Sequence, residues 1–204
     1  VSLCLFKDSK GRMWVGTDNG LYLYDLKGNS VKQYVHEDQK EYSIAHNMIY
    51  AITEDEKNNI WIGTSEGLSM LVPDGQRFKN FRHTATDQHS ISSNTVYALA
   101  IDEKQQLWIG TDEGLDILDL NTQSVQNCRP EKRNLHSLSS RSIRSILIDK
   151  EGIYWVGTYQ GGLNKYDTNM SCFNLREFNP FDMHGLHAPI VTSFAEDKKG
   201  GFVG

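Results

Sequence analysis

The side chains best suited to chemistry in this 204-residue chain are Arg141 and Arg144, with Tyr159 and Gln160 a short way downstream. Sugars stack on aromatic faces and arginine pairs bidentately with carboxylate or sulfate, so an aromatic beside arginines suits an acidic sugar. Seven histidines invite a catalytic or metal reading instead. None has a partner at a ligand spacing such as HxxxH or HExxH; His36, His46, His83, His89, His136, His184 and His187 all fall in, or at the edges of, four similar loops. The evenly spaced Asp8, Asp55, Asp102 and Asp149 are too far apart along the chain to pair as acid and base, and no serine sits in a nucleophile elbow. Cys4, Cys128 and Cys172 are odd in number, form no CxxC pair and read as strand residues behaving as small hydrophobes. The chemistry on offer is binding, with no catalytic residue, metal or cofactor called for.

The elements that must position these residues are announced by four tryptophans. Trp14, Trp61, Trp108 and Trp155 are each 47 residues apart, and Phe202 falls another 47 on. Around them recur Trp14-Val15-Gly16-Thr17, Trp61-Ile62-Gly63-Thr64, Trp108-Ile109-Gly110-Thr111 and Trp155-Val156-Gly157-Thr158, with an aspartate six positions upstream each time. A fixed period in the forties marks stacked supersecondary units, each burying its faces on its neighbours.

Within a unit, short alternating segments separated by glycine or aspartate turns predict a four-stranded meander. In the second unit these are Met48 to Glu54, Ile60 to Thr64, Leu68 to Val72 and Phe78 to His83; in the third, Thr95 to Ile101, Leu107 to Thr111, Leu115 to Leu120 and Val125 to Arg129. The strand glycines Gly16, Gly63, Gly110 and Gly157 are expected where backbones approach closely or pack under a neighbouring Trp. The fold class is all-β, a set of β-propeller blades: blade 1 about 1–36, blade 2 about 47–83, blade 3 about 94–130, blade 4 about 141–179, and a partial fifth at about 189–204 holding two strands, Ile190 to Glu196 and Gly201 to Gly204. A β-helix would need shorter repeats.

A net charge of −5, with Lys+Arg 21 against Asp+Glu 26, offers no basic stripe for a phosphate backbone, so nucleic acid is not an expected partner. No apolar stretch approaches the roughly 20 residues that span a bilayer, and the first residues lack a signal-peptide layout.

The pattern DxxGxxWVGTxxGL, followed by lead-in segments such as Tyr42-Ser43-Ile44-Ala45-His46-Asn47, His89-Ser90-Ile91-Ser92-Ser93-Asn94 and His136-Ser137-Leu138-Ser139-Ser140-Arg141, resembles the two-component regulator propeller repeat. That resemblance implies the periplasmic sensor region of a bacterial hybrid two-component system, often one detecting glycan fragments ahead of a membrane span and a histidine kinase. It also implies a ring of about seven blades, so this chain is expected to be part of a larger propeller. Its partners would be an oligosaccharide, further blades or a second copy, with membrane attachment only through other parts of the protein.

Repeated residues, including Trp14, Trp61, Trp108, Trp155 and the four strand glycines, are best explained by the blade. Function is expected where one copy departs, on loops near the ring axis. One loop set is His36 to Asn47, His83 to Asn94, Glu131 to Arg141 and Asn179 to Pro189; the other is Asp18-Asn19, Ser65-Glu66, Asp112-Glu113 and Tyr159-Gln160-Gly161-Gly162. Blade 4 departs most, and Arg141, Arg144, Tyr159 and Gln160 are its candidate binding residues. The rival expectations are a lyase similar to the streptogramin lyases, for which only His184 or His187 could serve, and a structural interaction scaffold.

Overall fold

Alternating apolar residues and tight turns give strands throughout. The computed structural model describes residues 1–25, 29–131, 134, 137–167, 172–176, 190–192, 195–196 and 202–203. The first sheet comprises Ser2–Lys7 (β1), Met13–Thr17 (β2), Gly20–Asp25 (β3) and Ser30–Tyr34 (β4). The second comprises Ile49–Glu54 (β5), Ile60–Thr64 (β6), Gly67–Leu71 (β7) and Phe78–Phe81 (β8). Val96–Ile101 (β9), Gln106–Thr111 (β10), Leu115–Asp119 (β11) and Val125–Cys128 (β12) form the third; Ile143–Ile148 (β13), Tyr154–Thr158 (β14), Leu163–Asp167 (β15) and Cys172–Arg176 (β16) form the fourth. Ala195–Glu196 (β17) pairs with Phe202–Val203 (β18). Each sheet is an antiparallel meander in chain order. The first strands β1, β5, β9 and β13 lie side by side as the inner strands of successive propeller blades.

Strand ends depart slightly from expectation. β8 stops at Phe81 rather than His83 because the His83 N–H leaves the ladder and donates to Asn94 Oδ1 at 2.7 Å. The described part of the fifth unit is residues 190–192 and the short β17–β18 pair, and the loop 179–189 with His184 and His187, together with His136, lies outside the described residues.

The core is built at the seams. Trp14, Leu21 and Tyr34 of the first sheet cluster with Ile49, Ile52, Ile60, Ile62, Leu71 and Phe78 of the second; Trp61 and Trp108 are likewise buried against the third and fourth. The repeated glycine belongs to this packing, although its neighbour is not the Trp. A Cβ on Gly63 would sit 2.8 Å from Val96 Cγ1, and one on Gly110 2.8 Å from Ile143 Cγ2, so each glycine admits the inner strand of the next blade.

The same seam positions are open on the first sheet. Leu5 is 68% exposed while its counterpart 47 residues on, Ile52, is 9% exposed; Val31 is 58% exposed and its counterpart Phe78 4%. This outward face of blade 1 therefore carries apolar residues of the kind that blade 2 buries.

Candidate functional site

The two ends of the blades are chemically different. At the end carrying the β1–β2 type hairpins, each repeated aspartate holds its own tryptophan: the indole Nε1–H donates to Asp8 Oδ2 at 2.9 Å, to Asp55 at 2.8 Å, to Asp102 at 3.1 Å and to Asp149 at 2.9 Å. The second carboxylate oxygen closes the turn by accepting backbone N–H groups, for example Asn59 and Gln106. The turn needs a left-handed residue, supplied by Gly11 and Gly152 in two copies and by Asn58 and Gln105, at φ 62° and 59°, in the others. Burial alone would push the Asp8 carboxyl up, but the Trp14 and Arg12 hydrogen bonds and the Arg12 charge hold it below the usual range. At one seam the tie extends across blades: the Tyr154 hydroxyl donates to Asp102 Oδ2 at 2.9 Å, and its ring stacks on Trp108 with centroids 4.2 Å apart. Burial, reinforced by Asp102, pushes the Tyr154 phenol well above its ordinary value.

The opposite end gathers the lead-in loops and the β2–β3 type turns. A serine, aspartate or asparagine early in the third strand receives each lead-in loop: Ala45 N–H donates to Ser69 Oγ, Ser92 N–H to Asp116 Oδ2, and Ser139 N–H to Asn164 Oδ1. Burial pushes the Asp116 carboxyl above its ordinary value against the pull of hydrogen bonds from Ser92 and Asn127. His36 and His83 use their ring Nδ1 on the carbonyls of Ile44 and Ile91, and their backbone N–H groups donate to Asn47 and Asn94. These two histidines are loop clamps.

Near this end the inner strands leave regular register. Pairing passes from Ile49↔Thr64 to Ala51↔Gly63, from Val96↔Thr111 to Ala98↔Gly110, and from Ile143↔Thr158 to Ser145↔Gly157. The residues left over in these bulges are Tyr50, Tyr97 and Arg144. A bulge re-aims the extra side chain, and here three of them meet at the mouth of adjacent inner strands. The Tyr50 and Tyr97 rings lie 5.0 Å apart. The Arg144 guanidinium carbon sits 3.7 Å from the centre of the Tyr97 ring and 5.0 Å from that of Tyr159, in cation–π geometry. Its terminal nitrogen is 3.6 Å from Asp112 Oδ1, which also accepts the Ser142 hydroxyl at 2.8 Å, while Arg144 Nε is buried without a hydrogen-bond acceptor.

Of the four residues singled out from sequence, the structure joins Arg144 to Tyr159. Arg141 lies to one side, its guanidinium 3.2 Å from Glu113 Oε2, and both side chains are largely exposed. Gln160 is an exposed residue of the longer blade 4 turn, at φ 60°. Arg141 replaces Asn47 and Asn94 for a local reason: the residue matching His36 and His83 is Pro130, which has no N–H for an asparagine to accept. Tyr50, Tyr97 and Asp112 are the members that a search for unusual residues passes over, because each belongs to a repeated position or turn. Their signal lies in the 47-residue offset that stacks positions 50, 97 and 144.

Other nucleophiles are quiet. Cys4 and Cys128 are half-buried and unpaired in disulfides; burial pushes the Cys4 thiol up to about 11 and raises that of Cys128. Among the described residues no three His, Cys, Asp or Glu side chains converge to hold a metal.

Comparison with known proteins agrees with the blade reading. The two component regulator propeller model matches residues 1–19, 43–66, 90–113 and 137–160. Two extracellular domains from B. thetaiotaomicron, each described as that of a hybrid two component system, superpose with TM-scores of 0.76 and 0.79 at 23% and 22% identity, over 94% and 98% of this chain. The chain spans about a quarter of their length, 24% and 27%. Virginiamycin B lyase from Staphylococcus aureus superposes with a TM-score of 0.64 at 8% identity, over 97% of this chain and 60% of the lyase. At these identities the likeness is one of fold. No curated protein matches the chain.

Proposed function

This chain is a member of the two component regulator propeller family, and on that premise we propose that it is a noncatalytic, ligand-sensing propeller segment of a hybrid two-component receptor outside the cytoplasm, in the periplasm. The observation that carries the reading is the mouth at Tyr97, Arg144 and Tyr159, where the bulge common to all four inner strands carries an arginine in blade 4 and one lengthened turn sets a tyrosine beside it. Its ligand is a glycan fragment, stacked on the tyrosines and hydrogen-bonded by the charged groups. Ligand binding favours one packing of blades 3 and 4, and a histidine kinase elsewhere in the protein reads that difference; the requirement is differential affinity for two states. Further blades of the repeat, or a second copy, cover the apolar face of blade 1.

Thermal unfolding of the protein with a panel of oligosaccharides tests the binding step, because a ligand of the folded state raises the midpoint by mass action. A rise abolished by Arg144→Ala supports the reading, and a midpoint indifferent to every glycan rejects it. Light scattering over a range of concentrations tests the face of blade 1 as a site of self-association, which a strict monomer rejects. The lyase-like superposition is tested by assaying ring opening of streptogramin B with magnesium, where turnover would favour an enzyme.

A further inference from the structure

The charges at the mouth are already answered, and from this we propose that the site takes a neutral sugar ring and excludes acidic glycans. The inference deepens the sensing role and rests on it. Arginines next to an aromatic, met in a sequence, point to a carboxylated or sulfated ligand, but both guanidinium groups here face carboxylates: Arg144 faces Asp112, and Arg141 faces Glu113. Glu66 stands on the neighbouring turn of the same set. An anionic sugar would have to displace a carboxylate and then remain beside it, trading one charge pair for another and adding a repulsion.

A hydroxyl meets neither objection. It accepts from one group and donates to another, and the mouth offers a cationic donor in Arg144 beside an acceptor in Asp112. Vicinal hydroxyls of a neutral ring span such a pair. The apolar C–H face of the ring rests on Tyr159, which is 41% exposed, while Tyr97 holds the guanidinium at 3.7 Å. Tyr50, next to Tyr97, continues the aromatic surface along the inner strands for a second ring. The bulges are what make this possible, since regular pairing would turn residues 50, 97 and 144 away from the mouth.

The test is calorimetric titration of the protein with cellohexaose, xylohexaose and mannohexaose as neutral probes, and with hexagalacturonate and a chondroitin sulfate hexasaccharide as acidic ones. The expected result is binding of a neutral probe, weakened about tenfold or more by Tyr159→Ala and by Asp112→Asn. That affinity should change by less than about twofold between roughly 0.05 and 0.5 M salt, because the ligand carries no charge to screen. Tyr159→Ala alters a partly exposed side chain; its unfolding midpoint and that of Asp112→Asn are measured alongside, so that a loss of binding is separated from a loss of fold. Binding of acidic probes alone, weakening with salt, overturns the neutral class and leaves the sensing role standing. Neutral binding untouched by both substitutions overturns the site. Failure of every probe to bind removes the sensing role together with this inference.

Discussion

The two ends of these blades use the same residue types for opposite purposes. At the hairpin end, an aspartate sits under a tryptophan N–H in all four copies and is buried there in the first three. At the mouth, Asp112 is about half exposed and shares Oδ1 between a serine hydroxyl and an arginine, an arrangement that no other copy repeats among the described residues. A buried carboxylate whose acceptor sites are filled supports a fold, whereas one that is half exposed beside a cationic donor has acceptor capacity left for a ligand. The comparison predicts that damage at one end costs stability and damage at the other costs recognition.

The largest effect should come from Trp108→Ala, which empties the seam between blades 3 and 4 and leaves Tyr154 without its stacking partner. A loss of roughly 3–5 kcal/mol is expected in denaturant unfolding. Asp102→Ala comes next, because it orphans both the Trp108 indole and the Tyr154 hydroxyl at once; a loss of about 2–4 kcal/mol is expected. The matched Asp149→Ala, which lacks the cross-blade tyrosine tie, should cost less.

Asp116→Asn should act in the opposite sense. The folded carboxyl titrates above its unfolded value because it is buried, so the folded state holds more protons between the two values and stability falls as pH rises through that window. Asparagine removes the penalty and already fills the matching place as Asn164, where it accepts from Ser139 N–H and donates to Ser139 Oγ. The variant should be more stable than the parent at neutral pH, with the gain fading in acid; midpoints measured across the acid range check this. The smallest effect is expected from Arg141→Ala. Its pair with Glu113 is solvent-exposed, and a change within roughly 1 kcal/mol is anticipated. A large loss there would mean that the mouth, too, is a structural device.

The same contrast explains what could be read before folding. The Trp spacing gave the number and order of blades because each unit must bury its tryptophan on the next, a demand written into every copy. The six-residue offset from Asp8 to Trp14 was visible as well, but the hydrogen bond it serves appears only when antiparallel register sets Phe6 opposite Trp14 and brings the turn over the indole. At the mouth, Arg144 and Tyr159 stood out by departing from their counterparts. Tyr97 did not, since its contact with Arg144 crosses a seam and depends on a bulge, and neither is encoded by local alternation. Arg141 stood out for a reason unconnected with the mouth's aromatic cluster, the loss of an N–H donor at Pro130.

Hydrogen–deuterium exchange of the protein, with and without a saturating neutral oligosaccharide, tests most directly whether recognition is confined to one end. The account predicts added protection in segments 94–97, 111–114, 141–145 and 158–162, with none in the aspartate turns at 8–12, 55–59 and 102–106. Protection centred on those turns, or on the outer strands, would contradict it.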